Sequence, residues 1–412
     1  MEKIFYTIII LFTFNHIVGQ SLDDSILLKS DALQEQREIK IFLPSSYENG
    51  SKTYPVLYVI DAQRYFLNGV VYQQNLAWQE ITPEFIVVGI NTDPIKRRNL
   101  FYKDSAKFVR FLEKELIPAI DAKYRTTNDR IYFGWEMAGG LGVQIIANKS
   151  DLFKGFLLSS PTHILKDRLK SVSEMLKNGT KQQLTVYSVL GSIENWATES
   201  MFSLDSIFQK YSTENINWKY NLSDNENHYT TPLTTINEGL KLFFSDYGPV
   251  RFYSIQEFKD FGGIEKLKQH YLNRAKRYQI SNDIHDDTKH YLLLQAHKED
   301  NFKLFDALIE EFDGKTFIKN YYRQPRWFKR FSNFYFDNNR LEDALVILNL
   351  GLDKFPDASM LYFAKAIYFK AIGNVQDSEL WYEKTIQIAK TNNDPELEAY
   401  KTEWMKTTNA NN

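Results

Sequence analysis

No cysteine occurs in the 412 residues. That absence excludes disulfides, thiolate metal sites and a cysteine nucleophile together. A surplus of either charge is missing too. The formal net charge is -2, which gives no reason to expect nucleic acid or an anionic membrane as partner. The chain has no H-E-x-x-H and no other paired histidine and carboxylate at ligand spacing, so no metal is expected. No phosphate-cradling loop is present either; the run Gly139-Gly140-Leu141-Gly142 reads as packing glycine, and no cofactor is expected. Long hydrophobic runs are confined to the first residues. There Lys3 precedes an apolar stretch from Ile4 to Phe14, followed by small and polar residues around Gly19. This is the layout of a secretory signal peptide, and the run is too short to span a membrane comfortably. The expectation is cleavage near Gly19 or Gln20 and an exported, periplasmic or secreted protein without a transmembrane segment. A buried N-terminal strand is the bland alternative.

What is present argues for a globular protein of more than one domain. Hydrophobic residues make up 43% of the 412, enough for normal cores, and the length suits two or three domains. Ile39 to Leu43 reads as a strand running into turn chemistry at Pro44, Ser45 and Ser46. Val56 to Ile60, Phe85 to Ile90, Arg130 to Phe133, Phe156 to Leu158 and Leu184 to Leu190 are short apolar runs typical of buried parallel strands. Between them, Phe108 to Tyr124 carries apolar residues at helical spacing: Phe108, Phe111, Leu112, Leu116 and Ile120. Strands alternating with helices predict an α/β fold with a mostly parallel sheet covered on both faces.

From about Pro249 onward the strand runs stop and the chain reads as helical. Phe328, Phe331 and Tyr335, a turn at Asp337-Asn338-Asn339, then Ala344, Leu348, Gly351 and Pro356 form one pattern. It returns 34 residues later as Tyr362, Ala366, Phe369, a turn at Gly373-Asn374, Ser378, Tyr382 and Thr385. The period resembles that of a tetratricopeptide repeat, with Trp327 one place off that family's tryptophan. A weaker copy spans Asp286 to Phe312, with its turn at Asp300-Asn301. An unrelated helical bundle is the competing reading. The expected layout is a signal over 1–20, an α/β domain over 21–247, a helical connector over 248–320, repeats over 321–392 and a polar tail over 393–412. A protein or peptide is the partner such repeats would hold. The 25 tyrosines and 30 phenylalanines are read as packing residues rather than as a carbohydrate-stacking surface.

The chemistry concentrates between Arg130 and Gly142, where a strand meets a helix through Gly134-Trp135-Glu136-Met137-Ala138-Gly139-Gly140. In α/β-hydrolases this place holds the nucleophile elbow G-x-S-x-G. Here glutamate stands where serine is expected, and Ala138 replaces the last glycine. The neighbouring segments, LQEQREIKIFLPSSYE and YPVLYVIDAQ, EFIVVGINTDPIKRRNLF, FLEKELIPAIDAKYRTTNDRIYFGWEMAGG and LFKGFLLSSPT, follow in order. Over roughly residues 25 to 245 they resemble the putative-esterase family of α/β-hydrolases, which includes esterase D-like, feruloyl-esterase and siderophore-esterase enzymes. The resemblance implies a Ser, acid, His triad in that chain order. It places the histidine at His228, with His163 the only rival in the domain. It places the acid at Glu194, after LTVYSVLGSIENW, with Glu226 as fallback. The oxyanion hole would be backbone N–H groups of Met137 and of Ala62 or Gln63. The family usually has Asp-Gly where this chain has Asp61-Ala62, and a positive φ there would not suit alanine. Arg97-Arg98-Asn99 resembles a family R-D-L segment and is read as structural.

Glutamate cannot do serine's work well. Attack on an ester would give a mixed anhydride, and the carboxylate's charge would sit beside donors meant for the transition-state oxyanion. The sequence therefore predicts a plug: Glu136 paired with protonated His228, whose pKa the carboxylate would raise, in a pocket for a small ester, acyl or sugar ligand. Two other readings keep an enzyme. One lets Glu136 attack carbon by displacement, as the aspartate of haloalkane dehalogenases and epoxide hydrolases does. The other uses Ser159 or Ser160 as a replacement nucleophile.

Overall fold

The structure, a computed structural model, describes residues 24–409. The expected signal segment lies outside the described residues. The chain divides into two compact units, Met1–Gly248 and Pro249–Asn412.

The first unit is built on an eight-stranded sheet in the order β1-β2-β4-β3-β5-β6-β7-β8. The strands are β1 Asp24–Ser30, β2 Glu35–Phe42, β3 Tyr54–Ile60, β4 Ile86–Ile90, β5 Thr126–Trp135, β6 Gly155–Ser159, β7 Leu184–Gly191 and β8 Ile216–Ser223. β1 and β2 pair antiparallel, as do β2 and β4; every other pairing is parallel. Every residue of β3, β4 and β6 is buried, because helices cover both faces of a parallel sheet. These are the runs that lack polar alternation in the sequence. β1 was not singled out by the sequence; its exposed residues alternate with half-buried ones at the sheet edge.

The helices of this unit are α1 Ala62–Trp78, α2 Ser105–Phe111, α3 Ile117–Lys123, α4 Met137–Asn148, α5 Lys166–Asn178, α6 Asn195–Tyr211 and α7 Thr231–Phe243. The helical pattern read over Phe108 to Tyr124 is one path with a wider, π-type turn over Leu112–Leu116 between α2 and α3. Phe108, Phe111, Leu112, Leu116 and Ile120 are all buried in the core shared with the sheet, as their spacing requires.

The second unit is helical throughout its described residues: α8 Ile255–Phe261, α9 Gly263–Tyr278, α10 Asp286–Lys298, α11 Phe302–Glu311, α12 Gly314–Tyr321, α13 Pro325–Asp337, α14 Leu341–Lys354, α15 Ser359–Ala371, α16 Val375–Thr391 and α17 Leu397–Asn409. The starts of α15 and α16 follow those of α13 and α14 by 34 residues each. The hairpin turns match in detail. Arg340 N donates to Tyr335 O and Asn374 N to Phe369 O, both at 2.9 Å, and the left-handed residues are Asn339 (φ 58°) and Gly373 (φ 78°). The contact between paired helices also repeats, with its residues exchanged. Ser332 Oγ of α13 donates to Ala344 O of α14, and Ser378 Oγ of α16 donates to Ala366 O of α15, each at 2.9 Å. The weaker copy is the hairpin α10–α11, whose left-handed residue is Asp300 (φ 51°). Its offset from the next hairpin is longer because α12 lies in the connection. The segment read as a polar tail contains α17, held by Trp404 stacked on Tyr382 at 4.3 Å and by buried Tyr400.

Close packing around the strand–helix crossing of the first unit makes a testable demand. A Cβ on Gly140 would lie 1.9 Å from the Thr162 carbonyl oxygen, which is backbone and cannot move aside cheaply. Gly140→Ala should destabilise the fold by roughly 1–3 kcal/mol or more. Gly179→Ala has open space around it and only a positive φ of 75° to contend with, so its cost should be about 1 kcal/mol. Urea midpoints of the two variants check the order.

Candidate functional site

Five polar side chains meet beyond the carboxyl ends of the parallel strands, where open α/β sheets bind ligands. Asp61 follows β3, Arg97 lies in the connection after β4, Glu136 follows β5, Glu194 follows β7 and His228 follows β8. The sharp turn at β5 puts Glu136 at φ 57°, ψ -119°. A residue in that conformation carries strain on the order of 1–3 kcal/mol. Its backbone is held on both sides: Glu136 N donates to Ser159 O at 3.0 Å, and Glu136 O accepts from Gly140 N at 3.1 Å and Thr162 N at 3.0 Å. Gly134 lets β5 and α4 cross, since a Cβ there would lie 2.6 Å from Ala138 O. Ala138, the departure from the motif's last glycine, is itself fully buried in the core.

The histidine and acid form a pair. His228 Nδ1 donates to Glu194 Oε2 at 2.7 Å. With its proton on Nδ1, a neutral imidazole keeps Nε2 as an acceptor, the form a general base needs. Glu194 is fully buried, and its other oxygen accepts from Ser160 Oγ at 2.6 Å and Gly191 N at 2.9 Å. Burial would push its carboxyl up, but the bonds from His228, Ser160 and Gly191 outweigh it and hold the pKa below the ordinary glutamate value. Glu226, the fallback acid, instead accepts from Thr234 Oγ1. Ser159 and Ser160 are fully buried, and Ser159 Oγ donates to Thr231 Oγ1 at 2.9 Å. They hold Glu194 and the α7 end in place and are not exposed to a substrate.

Glu136 does not pair with His228. Its Oε2 accepts from Arg97 Nη1 at 2.5 Å. Arg97 also grips Asp61 with two bonds, Nε to Oδ1 at 2.9 Å and Nη2 to Oδ2 at 2.7 Å. Asp61 is fully buried and accepts a further bond from Thr92 Oγ1. Burial alone would lower the Arg97 pKa; the Asp61 bonds and charge, then Glu136, more than offset it and raise it. The sequence reading of Arg97 as merely structural is therefore corrected: its guanidinium is part of the site. The signal that could have found it is its place in the loop after β4, beside the loops that carry Asp61 and Glu136. The predicted Glu136–His228 plug fails because the nearest cation to the carboxylate is a permanently charged guanidinium with a fixed donor fork.

Trp135 separates the two halves. Its Nε1 donates to His228 O at 2.7 Å, its ring lies 4.8 Å from the His228 ring, and the Arg97 guanidinium sits 5.2 Å from its centre. The oxyanion candidates Ala62 and Met137 are the first residues of α1 and α4, where backbone N–H groups have no partner within the helix. The positive φ in the first of these turns falls on Asp61, at 60°, and Ala62 is helical. Alanine is therefore tolerated there.

Glu136, Thr162, His163, Trp196 and His228 line one cavity of about 460 Å³. Sequence reasoning missed Trp196 and set His163 aside; both face this space. Burial lowers the His163 pKa, with Glu136 raising it and Arg98 and Arg168 lowering it further. Trp196 is 67% exposed and Tyr229 71% exposed, both with rings within 6 Å of His228. Among the described residues no cluster of three His, Asp or Glu side chains is placed to hold a metal ion, and no helix is long and apolar enough to cross a membrane.

Residues 30–232 match the family described as "Putative esterase". No curated protein matches. An IroE-like serine hydrolase from Shewanella oneidensis is similar at 18% identity and a TM-score of 0.53, over 69% of this chain and 97% of that one. An uncharacterised protein from Capnocytophaga ochracea DSM 7271 is similar at 18% identity and a TM-score of 0.57, over 88% of this chain and 93% of its own. At such identity the likeness is one of fold, and the second extends into the helical unit. The first unit has the α/β-hydrolase fold, and these matches support the esterase family.

The depressed Glu194 pKa makes its stabilisation pH-dependent. The contribution is present above the ordinary glutamate pKa and is lost as pH falls through the lower folded value. Glu194→Gln should cost roughly 1–3 kcal/mol at neutral pH, because it disturbs a buried, fully bonded carboxylate. The gap between variant and wild type should narrow on acidification. Urea unfolding at neutral and acidic pH tests both the size and the sign.

Proposed function

We propose that this chain, whose residues 30–232 match the putative-esterase family, is an exported ligand-binding protein on an esterase fold that has lost serine-type ester hydrolysis. The observation that carries the reading is the bond from Arg97 Nη1 to Glu136 Oε2 at 2.5 Å. The group at the nucleophile position is an anion already satisfied by a cation, and that cation is fixed on buried Asp61. No hydrogen bond joins Glu136 to His228 among the described residues, so the histidine has no proton to take from the elbow. A carboxylate would in any case form only a mixed anhydride with an acyl group. The cavity of about 460 Å³ remains, and the exposed rings of Trp196 and Tyr229 offer stacking surface to an acyl, aromatic or sugar ligand. The 34-residue helical hairpins, read as tetratricopeptide-like, would serve a protein or peptide partner. Residues 1–20 would direct export, and N-terminal sequencing of the protein recovered outside the cytoplasm tests that part: a start near Ser21 supports it.

A second reading is favoured by one feature, the intact His228–Glu194 pair at 2.7 Å. A pseudo-enzyme has no need of it, whereas an altered hydrolase using Glu136 with His228 does.

Hydrolysis of short-chain acyl and feruloyl esters separates the two. The wild-type chain should show no turnover above background. Glu136→Ser should gain on the order of 10³-fold through His228, and Glu136→Ser combined with His228→Ala should lose that gain. Turnover by the wild type that Glu136→Ala abolishes would overturn the proposal and make Glu136 catalytic.

A further inference from the structure

On the second unit, helix α13 presents three cationic side chains to one cavity. Arg326, Lys329, Arg330, Asn333 and Asp337 of α13 and His297 of α10 line a cavity of about 370 Å³. Two other arginines of this unit are neutralised by the chain itself: Arg340 pairs with Asp306 at 2.7 Å and Asp343 at 2.6 Å, and Arg251 with Asp287 at 2.5 Å. Arg326, Lys329 and Arg330 have no carboxylate partner among the described residues. Two of these cations are held by the same aromatic ring, Arg330 at 4.7 Å and Arg326 at 5.9 Å from the centre of Trp327. Contact with the ring does not spend their hydrogen-bond donors.

We infer that this face of α13 is a docking groove for an acidic peptide segment, whose carboxylates lie against Arg326, Lys329 and Arg330. The inference rests on the reading of the helical hairpins as a partner-binding unit and names the chemistry of that partner. Positions 326, 330, 333 and 337 fall on one face of the helix, one turn apart. They span about 16 Å, the length of about five residues of extended chain. Along that line the groups change from guanidinium to guanidinium to amide to carboxylate. The order gives a bound chain a direction: its acidic part meets the arginines, Asn333 can bond its backbone, and Asp337 accepts its amide or basic end. The same order disfavours a polyanion. A nucleic-acid strand or an anionic lipid surface running past the arginines would meet Asp337, and the chain's formal net charge of -2 offers no wider field to hold either one.

The full-length protein, tested by fluorescence anisotropy with labelled octapeptide pools, gives the answer. One pool carries three central glutamates in otherwise random sequence; the other carries glutamines there. The wild type should bind the glutamate pool at least tenfold more tightly, and the preference should shrink between about 50 and about 300 mM salt. Arg326→Glu with Arg330→Glu should abolish the preference, and Arg326→Gln with Arg330→Gln should reduce it, with circular dichroism unchanged because both side chains are exposed. Equal binding of the two pools, unaffected by the variants, would overturn the groove while leaving partner binding by the hairpins standing. Absence of binding to either pool up to about 1 mM would overturn both. Tighter binding of single-stranded DNA or of phosphatidylglycerol vesicles than of the glutamate pool would likewise sink the peptide assignment.

Discussion

The candidate site depends on one guanidinium. Arg97 neutralises Asp61, a carboxylate with no solvent exposure, and through Nη1 it neutralises Glu136. Removing one partner of a buried ion pair leaves an uncompensated charge and typically costs about 3–5 kcal/mol. Arg97 is thus kept in place by the fold, whatever occupies the elbow. Glu136 has joined a pair whose geometry the strand ends β3 and β5 already set. A longer, charged side chain at the elbow can therefore be accommodated without closing the cavity, because its charge is drawn toward the β4 side of the site and away from His228.

The other half of the site has no hydrogen bond to that cation. Glu194 and His228 are oriented by bonds from Ser160, Gly191 and Trp135, none of which involves Glu136. Trp135, the residue beside Glu136 at the end of β5, is the wall between the halves: one edge bonds the His228 carbonyl, and Arg97 stacks on its face. That separation explains how a histidine–carboxylate pair of the geometry used in acyl transfer coexists with an elbow that carries no hydroxyl. The packing that supports the dyad makes no use of the side chain at the elbow.

In the helical unit the same hairpin recurs with conserved geometry and altered residues. The exchange of serine and alanine between Ser332–Ala344 and Ala366–Ser378 keeps one small residue and one hydroxyl donor at the helix contact. The left-handed residue after the first helix is asparagine in one hairpin and glycine in the next, the two residue types that adopt that conformation most readily. The turns at Asp337 to Asn339 and Gly373-Asn374 are visible in the sequence because turn-forming residues fall there consecutively. The insertion of α12 is not, since its residues read as ordinary amphipathic helix.

By itself the sequence determined the alternation of strands and helices, the crossing at Gly134-Glu136, the histidine at His228 with two candidate acids, Glu194 and Glu226, and the change to helical hairpins after Gly248. Each of these is a local matter: apolar runs of strand length, glycines where backbones cross, or a residue at a fixed place after a strand. Only the tertiary structure decided which cation answers Glu136. The histidine comes from β8 and the arginine from the loop after β4, on opposite sides of β5 in the sheet. Linear spacing carries no information about which of two flanking loops leans toward the elbow. It also decided between Glu194 and Glu226, which lie on either side of β8 in the chain, because a carboxylate's partner is set by the direction its side chain leaves the loop. Pairing across non-adjacent strands is a property of the folded sheet, and the buried charge on Asp61 fixed it by holding Arg97 where Glu136 could reach.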